Sequence, residues 1–287
     1  MKNAIKIVLL GTAALALVLA VPAALAQQSG QQPPPAQGQQ PPAQGQQQTP
    51  PAEPAKPPVN PEEEAAYKTF FNLGRTDVEA TIQQGEDFLK KYPESKYTEG
   101  VTQKLSVAYF SKNNVDKFME YGERTLTLNP DNVDILPMMA LVTPRRIDPS
   151  GLGAAEKFIK AEGYARRGIQ LLDALQKPAT MTQEDFDKAR NEKLSMCRSG
   201  LGIILYQKQR YAEAAAELDQ ATKIVASPDP SDLFIMGVAY QSAQRYSDAV
   251  PAFERCSQVT WAWQERCKSS LAEAKKQAAA QPPAKKP

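Results

Sequence analysis

The sequence predicts an all-α protein, built as a stack of about five helix pairs with a C-terminal capping helix. Between residues 62 and 278, apolar residues recur at helical spacing, and prolines or short polar turns interrupt them. No run of alternating apolar and polar residues, the pattern of a strand, occurs in this region. A pattern of large and small residues also repeats along the chain, which is typical of stacked helical units.

The first 26 residues have the pattern of a secretory signal peptide. Lys2 and Lys6 give a positive start, an apolar run follows over residues 7–20, and Ala24-Leu25-Ala26 supplies the small residues of a cleavage site. The alternative is an uncleaved membrane anchor, but the run is shorter than the about 20 residues that a bilayer crossing needs. We expect cleavage and a periplasmic or secreted protein without a membrane span.

Residues 27–61 form a segment rich in Gln and Pro, with almost no apolar side chains to bury. Because such a composition cannot offset the entropy lost on ordering, we expect a disordered linker. Residues 279–287 are predicted to form a similar disordered tail, which leaves residues 62–278 as the helical domain. Two interpretations of the linker remain open, a plain spacer and a ligand for a proline-binding module.

The composition excludes several classes of function. The chain contains no histidine, 34 Lys and Arg residues and 32 Asp and Glu residues. Without histidine it lacks the commonest general base and metal ligand, and it cannot form a Ser–His or Cys–His catalytic pair. The balanced charge gives no electrostatic reason to expect nucleic acid as a partner. We therefore expect a protein that is not an enzyme, with no catalytic, cofactor-binding or metal-binding residues.

The string FLKKYPESKY, residues 88–97, predicts a corner between two helix pairs, Glu62–Tyr92 and Tyr97–Asn129. Pro93 prevents the preceding helix from continuing, and Ser95 is placed to cap the next helix. The aromatic residues of the string are expected to pack across the joint. We interpret the string as a joint between helices and not as a ligand site.

The middle of the chain predicts an irregular third pair. Asn132–Val142 is expected to form a short first helix, and Ala154–Leu175 a long second helix after a loop with two prolines and two glycines. Thr182 then opens a new helix with a near capping box. That helix is predicted to run without interruption to Leu205 and to be unusually long.

Two segments of 21 residues, which begin at Leu201 and Met236, match each other at seven positions with an offset of 35 residues. Glycine recurs in the first helix and alanine in the second, where small residues allow helices to approach closely. A glycine inside a helix costs about 1 kcal/mol relative to alanine, so its recurrence indicates a packing role. The matched pairs are Leu201/Met236, Gly202/Gly237, Leu205/Tyr240, Tyr211/Tyr246, Ala214/Ala249, Leu218/Phe253 and Ala221/Cys256.

This repeat resembles the tetratricopeptide repeat, a helix–turn–helix unit of about 34 residues. The resemblance implies a right-handed superhelical stack that binds proteins. A weaker third unit begins at Leu105, and in it Phe118 and Gly122 exchange the small and large positions. The corner at residues 88–97 also resembles corners in bacterial envelope proteins of this family, including outer-membrane assembly lipoproteins and periplasmic partners of the Tol–Pal system.

In tetratricopeptide domains, residues of the first helices line a concave surface that receives peptides or helices. An apolar groove of this kind suits an amphipathic helix or an extended segment. For each residue, burial against a neighbouring repeat is the alternative. The corresponding positions in this sequence are mostly apolar: Val107, Phe110, Ile203, Tyr206, Phe234, Val238 and Gln241.

Three cysteines are present, and export would place them in an oxidising compartment. Cys256, late in the last repeat, and Cys267, in the capping helix predicted over Trp261–Ala278, are candidates for a disulfide, since one tight turn separates the two helices. The alternative is that Cys256 is only the small residue that its repeat position requires. Cys197 is expected to stay free and buried, and Trp263 lies near Trp261 at the start of the capping helix.

The function that these features favour is an exported scaffold that binds a segment of a partner protein in an apolar groove, in the cell envelope. One alternative is a structural envelope protein that associates with itself through the same groove. A peptidoglycan-active enzyme is a further alternative, which the missing histidine disfavours.

Overall fold

The computed structural model describes residues 60–74 and 76–281. Within these ranges the chain is all-α, as predicted, with eleven α-helices, one short 3-10 helix and no strand. The predicted signal peptide, residues 27–59 of the predicted linker and the last six residues of the chain lie outside the described residues.

The helices follow one another with short connections, and a 3-10 segment, Thr143–Arg146, directly follows the fifth. Their bounds are α1 (Pro61–Phe71), α2 (Val78–Lys91), α3 (Thr98–Ser111), α4 (Val115–Leu128), α5 (Ile135–Val142), α6 (Ala154–Asp173), α7 (Gln183–Gln207), α8 (Tyr211–Lys223), α9 (Pro230–Ser242), α10 (Tyr246–Ser257) and α11 (Gln264–Ala280).

Each helix packs against the next helix along the chain, so the described residues form five consecutive pairs, α1/α2 to α9/α10, with α11 packed on α10. This confirms the predicted helical repeat stack. The third pair is irregular because α5 has 8 residues and α6 has 20. The predicted long helix is α7, with 25 residues, and it packs against α5, α6 and α8.

The repeated glycines lie where two helices of a pair approach most closely. A Cβ atom at Gly202 would lie 2.6 Å from Cγ of Leu218, and one at Gly237 would lie 2.6 Å from Cε1 of Phe253. Such distances leave no room for a side chain, so the matched glycines allow the matched large residues of α8 and α10 to be fully buried. The packing role predicted for the repeat is confirmed.

The exchange of large and small residues in the third unit is also visible in the packing. Phe118 is fully buried, and the free volume at Gly122 is filled by the sulfur of Met139, which would lie 2.7 Å from a Cβ atom there. Close approach of α3 and α4 also lets the Ser106 hydroxyl donate a hydrogen bond to the Phe118 carbonyl oxygen, at 3.0 Å. The next pair, through Met139 of α5, therefore supplies the volume that Gly122 lacks.

The turns inside three pairs share one backbone conformation. Asn113, Gln209 and Gln244 have φ values of 55°, 59° and 60°, in the left-handed region. In each turn the backbone N–H groups of this residue and the next one donate to carbonyl oxygens of the preceding helix. The turns are separated by 96 and 35 positions, the same offsets as the sequence repeats. Backbone geometry and side-chain pattern therefore repeat together.

The corner at residues 88–97 is a joint, as predicted. The rings of Tyr67 and Tyr97 are stacked with centroids 3.9 Å apart, and the rings of Phe88 and Tyr92 are 5.1 Å apart. The prediction that Ser95 caps α3 is wrong, since α3 begins three residues later. The Ser95 hydroxyl instead accepts a hydrogen bond from the Tyr97 N–H group at 3.0 Å, which stabilises the turn before the helix.

Candidate partner-binding surface

Val107 and Phe110 lie on the exposed face of α3. Both side chains are 40% exposed, whereas Leu105 and Ala108 on the same helix are buried. Residues three positions apart share a helix face, so Val107 and Phe110 form a small apolar surface together. The Phe110 ring packs edge-on against Phe118, with centroids 5.3 Å apart, which fixes its position on the surface.

The two groove residues predicted on α7 are not equally accessible. Ile203 is only 5% exposed, and every residue from Ser199 to Leu205 is buried. Because α5, α6 and α8 surround this part of α7, it has no open face, and the placement of Ile203 in an open groove needs correction. Tyr206, one turn later, is half-buried.

The residues predicted on α9 are covered by the C-terminal end of the stack. Phe234 is 6% exposed, and its ring lies 5.7 Å from the Trp263 ring and 5.3 Å from the guanidinium carbon of Arg266. Val238 is half-buried, and Gln241 is not an open groove residue because its Nε2 donates a hydrogen bond to Gln277 of α11. The open groove predicted for α9 is therefore filled by the connection to α11 and by α11 itself.

The two tryptophans lie just before the capping helix and not within it, since α11 begins at Gln264. Trp261 Nε1 donates a hydrogen bond to the Cys256 carbonyl oxygen at 3.2 Å, and Trp263 remains 47% exposed over Phe234. Trp261 and Trp263, in the connection between α10 and α11, therefore cover the end of the stack.

A disulfide joins Cys256 of α10 to Cys267 of α11, with the two Cα atoms 5.9 Å apart. Both residues are fully buried, so the bond fixes the start of the capping helix to the last pair. Cys197 is free and buried, and loss of solvation raises the pKa of its thiol to about 12, with Arg198 acting in the opposite direction. A thiol of this kind stays protonated at neutral pH and is a packing residue.

A cleft of about 590 Å³ opens beside the middle of α7, a volume within the usual range of ligand sites. One part of its lining is apolar and comes from Leu141 of α5, Met196 of α7, and Ile224 and Val225 of the connection between α8 and α9. This cleft was not predicted from the sequence, because its walls come from three parts of the chain.

The polar part of the cleft contains three carboxylates. Glu192 lies on α7, Asp229 precedes α9, and Asp232 lies in the first turn of α9. Asp229 also caps α9, since its side chain accepts a hydrogen bond from the Ser231 N–H group at 2.8 Å. One cation, Lys188, lines the same cleft.

Asp232 is the most buried of these carboxylates, with 4% of its surface exposed. Its Oδ1 atom accepts hydrogen bonds from the Arg145 guanidinium at 3.0 Å and from the Ser199 hydroxyl at 2.8 Å. Loss of solvation raises its pKa to about 6, although the positive charge of Arg145 and the Ser199 hydrogen bond favour the ionised form. Asp232 thus connects the 3-10 segment, α7 and α9 at one buried point.

Two further features of the described residues concern the function. No group of three or more His, Cys, Asp or Glu side chains in these ranges is placed to hold a metal ion. Within the same ranges, none of the helices combines the length and the apolar character that a membrane crossing requires.

No protein-family profile and no curated protein matches this sequence. Among solved structures, the chain is similar to PilW, described as a widely conserved type IV pilus biogenesis factor, with 17% identity and a TM-score of 0.48 over 77% of this chain and 90% of PilW. It is also similar to a thermophilic TPR protein from Thermus thermophilus, with 14% identity and a TM-score of 0.37 over 74% of this chain and 98% of that one.

A third similar structure is a tetratricopeptide repeat protein from Parabacteroides merdae. It shows 11% identity and a TM-score of 0.32 over 75% of this chain and 100% of the other. All three similarities are distant, and the all-α repeat fold of this chain follows from its own helices, glycine contacts and turns.

Proposed function

We propose that the protein is an exported, non-catalytic scaffold that binds a partner protein in the cell envelope through the exposed face of α3. The observation that carries this proposal is the pair Val107 and Phe110, two large apolar side chains that are each 40% exposed on one helix face. Partner-binding surfaces are enriched in aromatic residues with apolar neighbours, and a stack of helix pairs presents such a surface without a catalytic group.

The remaining predicted positions have a secondary role in this proposal. Tyr206 and Val238 are half-buried and stand at the edge of the covered region, whereas Ile203 and Phe234 stabilise the stack from inside. A charged substitution at either buried position would unfold the protein locally, so these positions cannot test partner binding.

A photo-crosslinking residue at position 107 tests the proposal in the cells that produce the protein. We expect a discrete adduct with another protein, and we expect Val107→Glu to prevent capture of that protein without loss of helical content. A crosslinker at position 159 is the matched control, since Ile159 is an exposed apolar residue on α6. Equal adducts at both positions, or none at 107, would contradict the proposal. An adduct between two copies of this chain would favour the self-associating alternative.

Export is tested separately at the N-terminus. If the first 26 residues are a cleaved signal, mass spectrometry of the protein from an envelope fraction should find a chain that begins at Gln27. A protein that retains Met1 and stays with the membrane would instead support the uncleaved anchor.

A further inference from the structure

We propose, on the basis of the protein-binding function above, that the cleft beside α7 is a second recognition site, which receives a lysine side chain from the partner protein. The apolar part of the cleft, Leu141, Met196, Ile224 and Val225, would hold the alkyl stem of that side chain and its apolar neighbours. The carboxylates of Asp232 and Asp229 would bind the ammonium group, and Glu192 would add its negative charge to the cleft.

The charge of the cleft favours a cation. Three carboxylates line it together with Lys188, and Arg145 is paired with one of the three, Asp232. An excess of one negative charge remains, which a single ammonium group would balance. Two neighbouring cations on α7 are engaged elsewhere, since Lys193 pairs with Asp134 at 2.5 Å and Arg198 pairs with Glu217 at 2.9 Å.

Asp232 has an unused acceptor atom. Its Oδ1 accepts both hydrogen bonds, from Arg145 and Ser199, and its Oδ2 accepts none from the described residues. Asp232 is one of the residues that line the cleft, although only 4% of its surface is exposed. A donor that enters the cleft can bind Oδ2 without displacing Arg145 or Ser199.

Glu192 and Asp229 line the same cleft and have no ion-pair partners among the described residues, and the charge of Asp229 acts on Asp232. Asp229 is held in place by its hydrogen bond to the Ser231 N–H group, so its second oxygen atom can accept from a ligand. A lysine ammonium group donates up to three hydrogen bonds, and Asp232 and Asp229, whose charges are close enough to interact, would supply two of the acceptors.

Binding of a cation should depend on pH. Burial raises the pKa of Asp232 to about 6 in the free protein, and the groups that face it are Arg145 of the 3-10 segment, Ser199 of α7 and Asp229 before α9. Glu192 and Lys188 line the rest of the cleft. A bound ammonium group favours the ionised carboxylate, so we expect binding to be up to about tenfold weaker at pH 5 than at pH 7.

The test uses the peptide acetyl-Leu-Lys-Leu-amide as a probe, with acetyl-Leu-norleucine-Leu-amide as the control that keeps the stem and lacks the ammonium group. Titration of the full chain, followed by NMR, should show saturable shifts at the amides of Ser195, Ser199, Val225 and Asp232. We expect the norleucine peptide to bind at least tenfold more weakly. Equal affinities, or shifts at α3 in place of the cleft, would overturn the proposal.

Two variants remove negative charge from the cleft and should leave the fold around it intact. Asp229→Asn keeps a helix-capping side chain and removes the charge, and Glu192→Gln removes a charge on an exposed part of α7. Each should weaken the lysine peptide about threefold to tenfold and leave the norleucine peptide unchanged. Glu213→Gln on α8 is the matched control with the same charge change outside the cleft. Unchanged affinity in both cleft variants would overturn the assignment.

The result of the peptide titration can be distinguished from the result of the crosslinking test of the proposed function. If position 107 captures a partner and the lysine peptide shows no binding at the cleft, only the cleft assignment is lost. If position 107 captures nothing and the peptide still binds at the cleft with the expected charge dependence, the α3 surface is lost and the lysine site stands.

Discussion

Gly237 and Phe253 are in such close contact that a Cβ atom at Gly237 would lie within 2.6–2.8 Å of three atoms of the Phe253 ring. This contact joins α9 to α10, and the equivalent contact between Gly202 and Leu218 joins α7 to α8. Each contact is made by residues of the pattern that repeats along the chain. We therefore expect either helix pair to lose stability if its glycine is replaced by alanine, which adds one methyl group.

We predict that Gly237→Ala lowers the free energy of unfolding by about 1–3 kcal/mol, because overpacking outweighs the better helix propensity of alanine. Gly163→Ala is the control, since Gly163 lies inside α6 and a Cβ atom there would meet no atom within 4 Å apart from its chain neighbours and the nearby backbone of its own helix. That substitution should stabilise the protein by about 0.5–1 kcal/mol. Chemical denaturation measures both. Stabilisation by both substitutions would contradict the packing role of Gly237.

The largest effect of this kind is predicted at Gly200. A Cβ atom there would lie 2.1 Å from the carbonyl oxygen of Ala140, a backbone atom of α5 that cannot rotate away. Gly200→Ala should therefore cost more than Gly237→Ala, because it forces α5 and α7 apart. A ranking of the two melting temperatures tests this expectation, and it fails if Gly200→Ala is the milder change.

In the left-handed turns, a substitution by glycine should have the opposite effect and stabilise the protein. Gln209 and Gln244 have φ values of 59° and 60°, a conformation that costs a residue with a Cβ atom roughly 1–2 kcal/mol. We expect Gln209→Gly to stabilise the protein by about 0.5–1 kcal/mol after the entropy of the unfolded chain is included. Asn113→Gly is the control with a smaller gain, because asparagine tolerates this conformation better. Equal gains in thermal denaturation would contradict the explanation.

Asp232 should make stability depend on pH. Its pKa is raised to about 6 in the folded protein from the ordinary 3.8, so its contribution to stability is most favourable below pH 4 and is lost as the pH rises toward 6. The loss should reach about 3 kcal/mol, since each pH unit between the two pKa values corresponds to about 1.4 kcal/mol.

The comparison that isolates this effect is wild type against Asp232→Asn, which keeps an oxygen acceptor for Arg145 and Ser199 and cannot titrate. The stability of wild type relative to this variant should fall between pH 4 and pH 7. Asp116→Asn, at a largely exposed carboxylate that pairs with Arg146, is the control for the loss of one acidic side chain. A constant difference between wild type and Asp232→Asn would contradict the prediction.

The disulfide between Cys256 and Cys267 closes a short loop of 11 positions in sequence. Loops of this size are stabilised by about 2–3 kcal/mol, so a reductant should lower the melting temperature of the wild-type protein. Cys267→Ala should lower it similarly and should not respond to the reductant. Mass spectrometry without reductant should find the two peptides linked, and free thiols at both positions would contradict the pairing.

Much of the fold is predictable because it depends on local patterns. The helix pairs, the long α7 and the contacts of Gly202 and Gly237 follow from the spacing of small and large residues, which repeats with an offset of 35 positions. The left-handed conformation of Gln209 and Gln244 is not predictable in the same way, since glutamine is not the residue type that this turn usually selects.

The candidate sites are less predictable because they depend on what covers each surface. Ile203 and Phe234 occupy groove positions by their spacing, but the packing around α7 and the residues before α11 bury them. Asp232 has the sequence position of an ordinary solvated acid in a first helical turn. Its burial and its pairing become visible only in the structure, where Arg145, 87 residues earlier in the chain, lies next to it.

The ion pair between Arg145 and Asp232 connects the third helix pair directly to the fifth, and Ser199 of the fourth pair is hydrogen-bonded to both residues. Arrays in which each unit touches only its neighbours can gain or lose a unit by duplication or deletion of the corresponding gene segment. In this chain, an inserted unit between the third and fifth pairs would separate the arginine from a carboxylate that water barely reaches. The length of this part of the array is therefore constrained in evolution, and changes in unit number are expected toward its two ends.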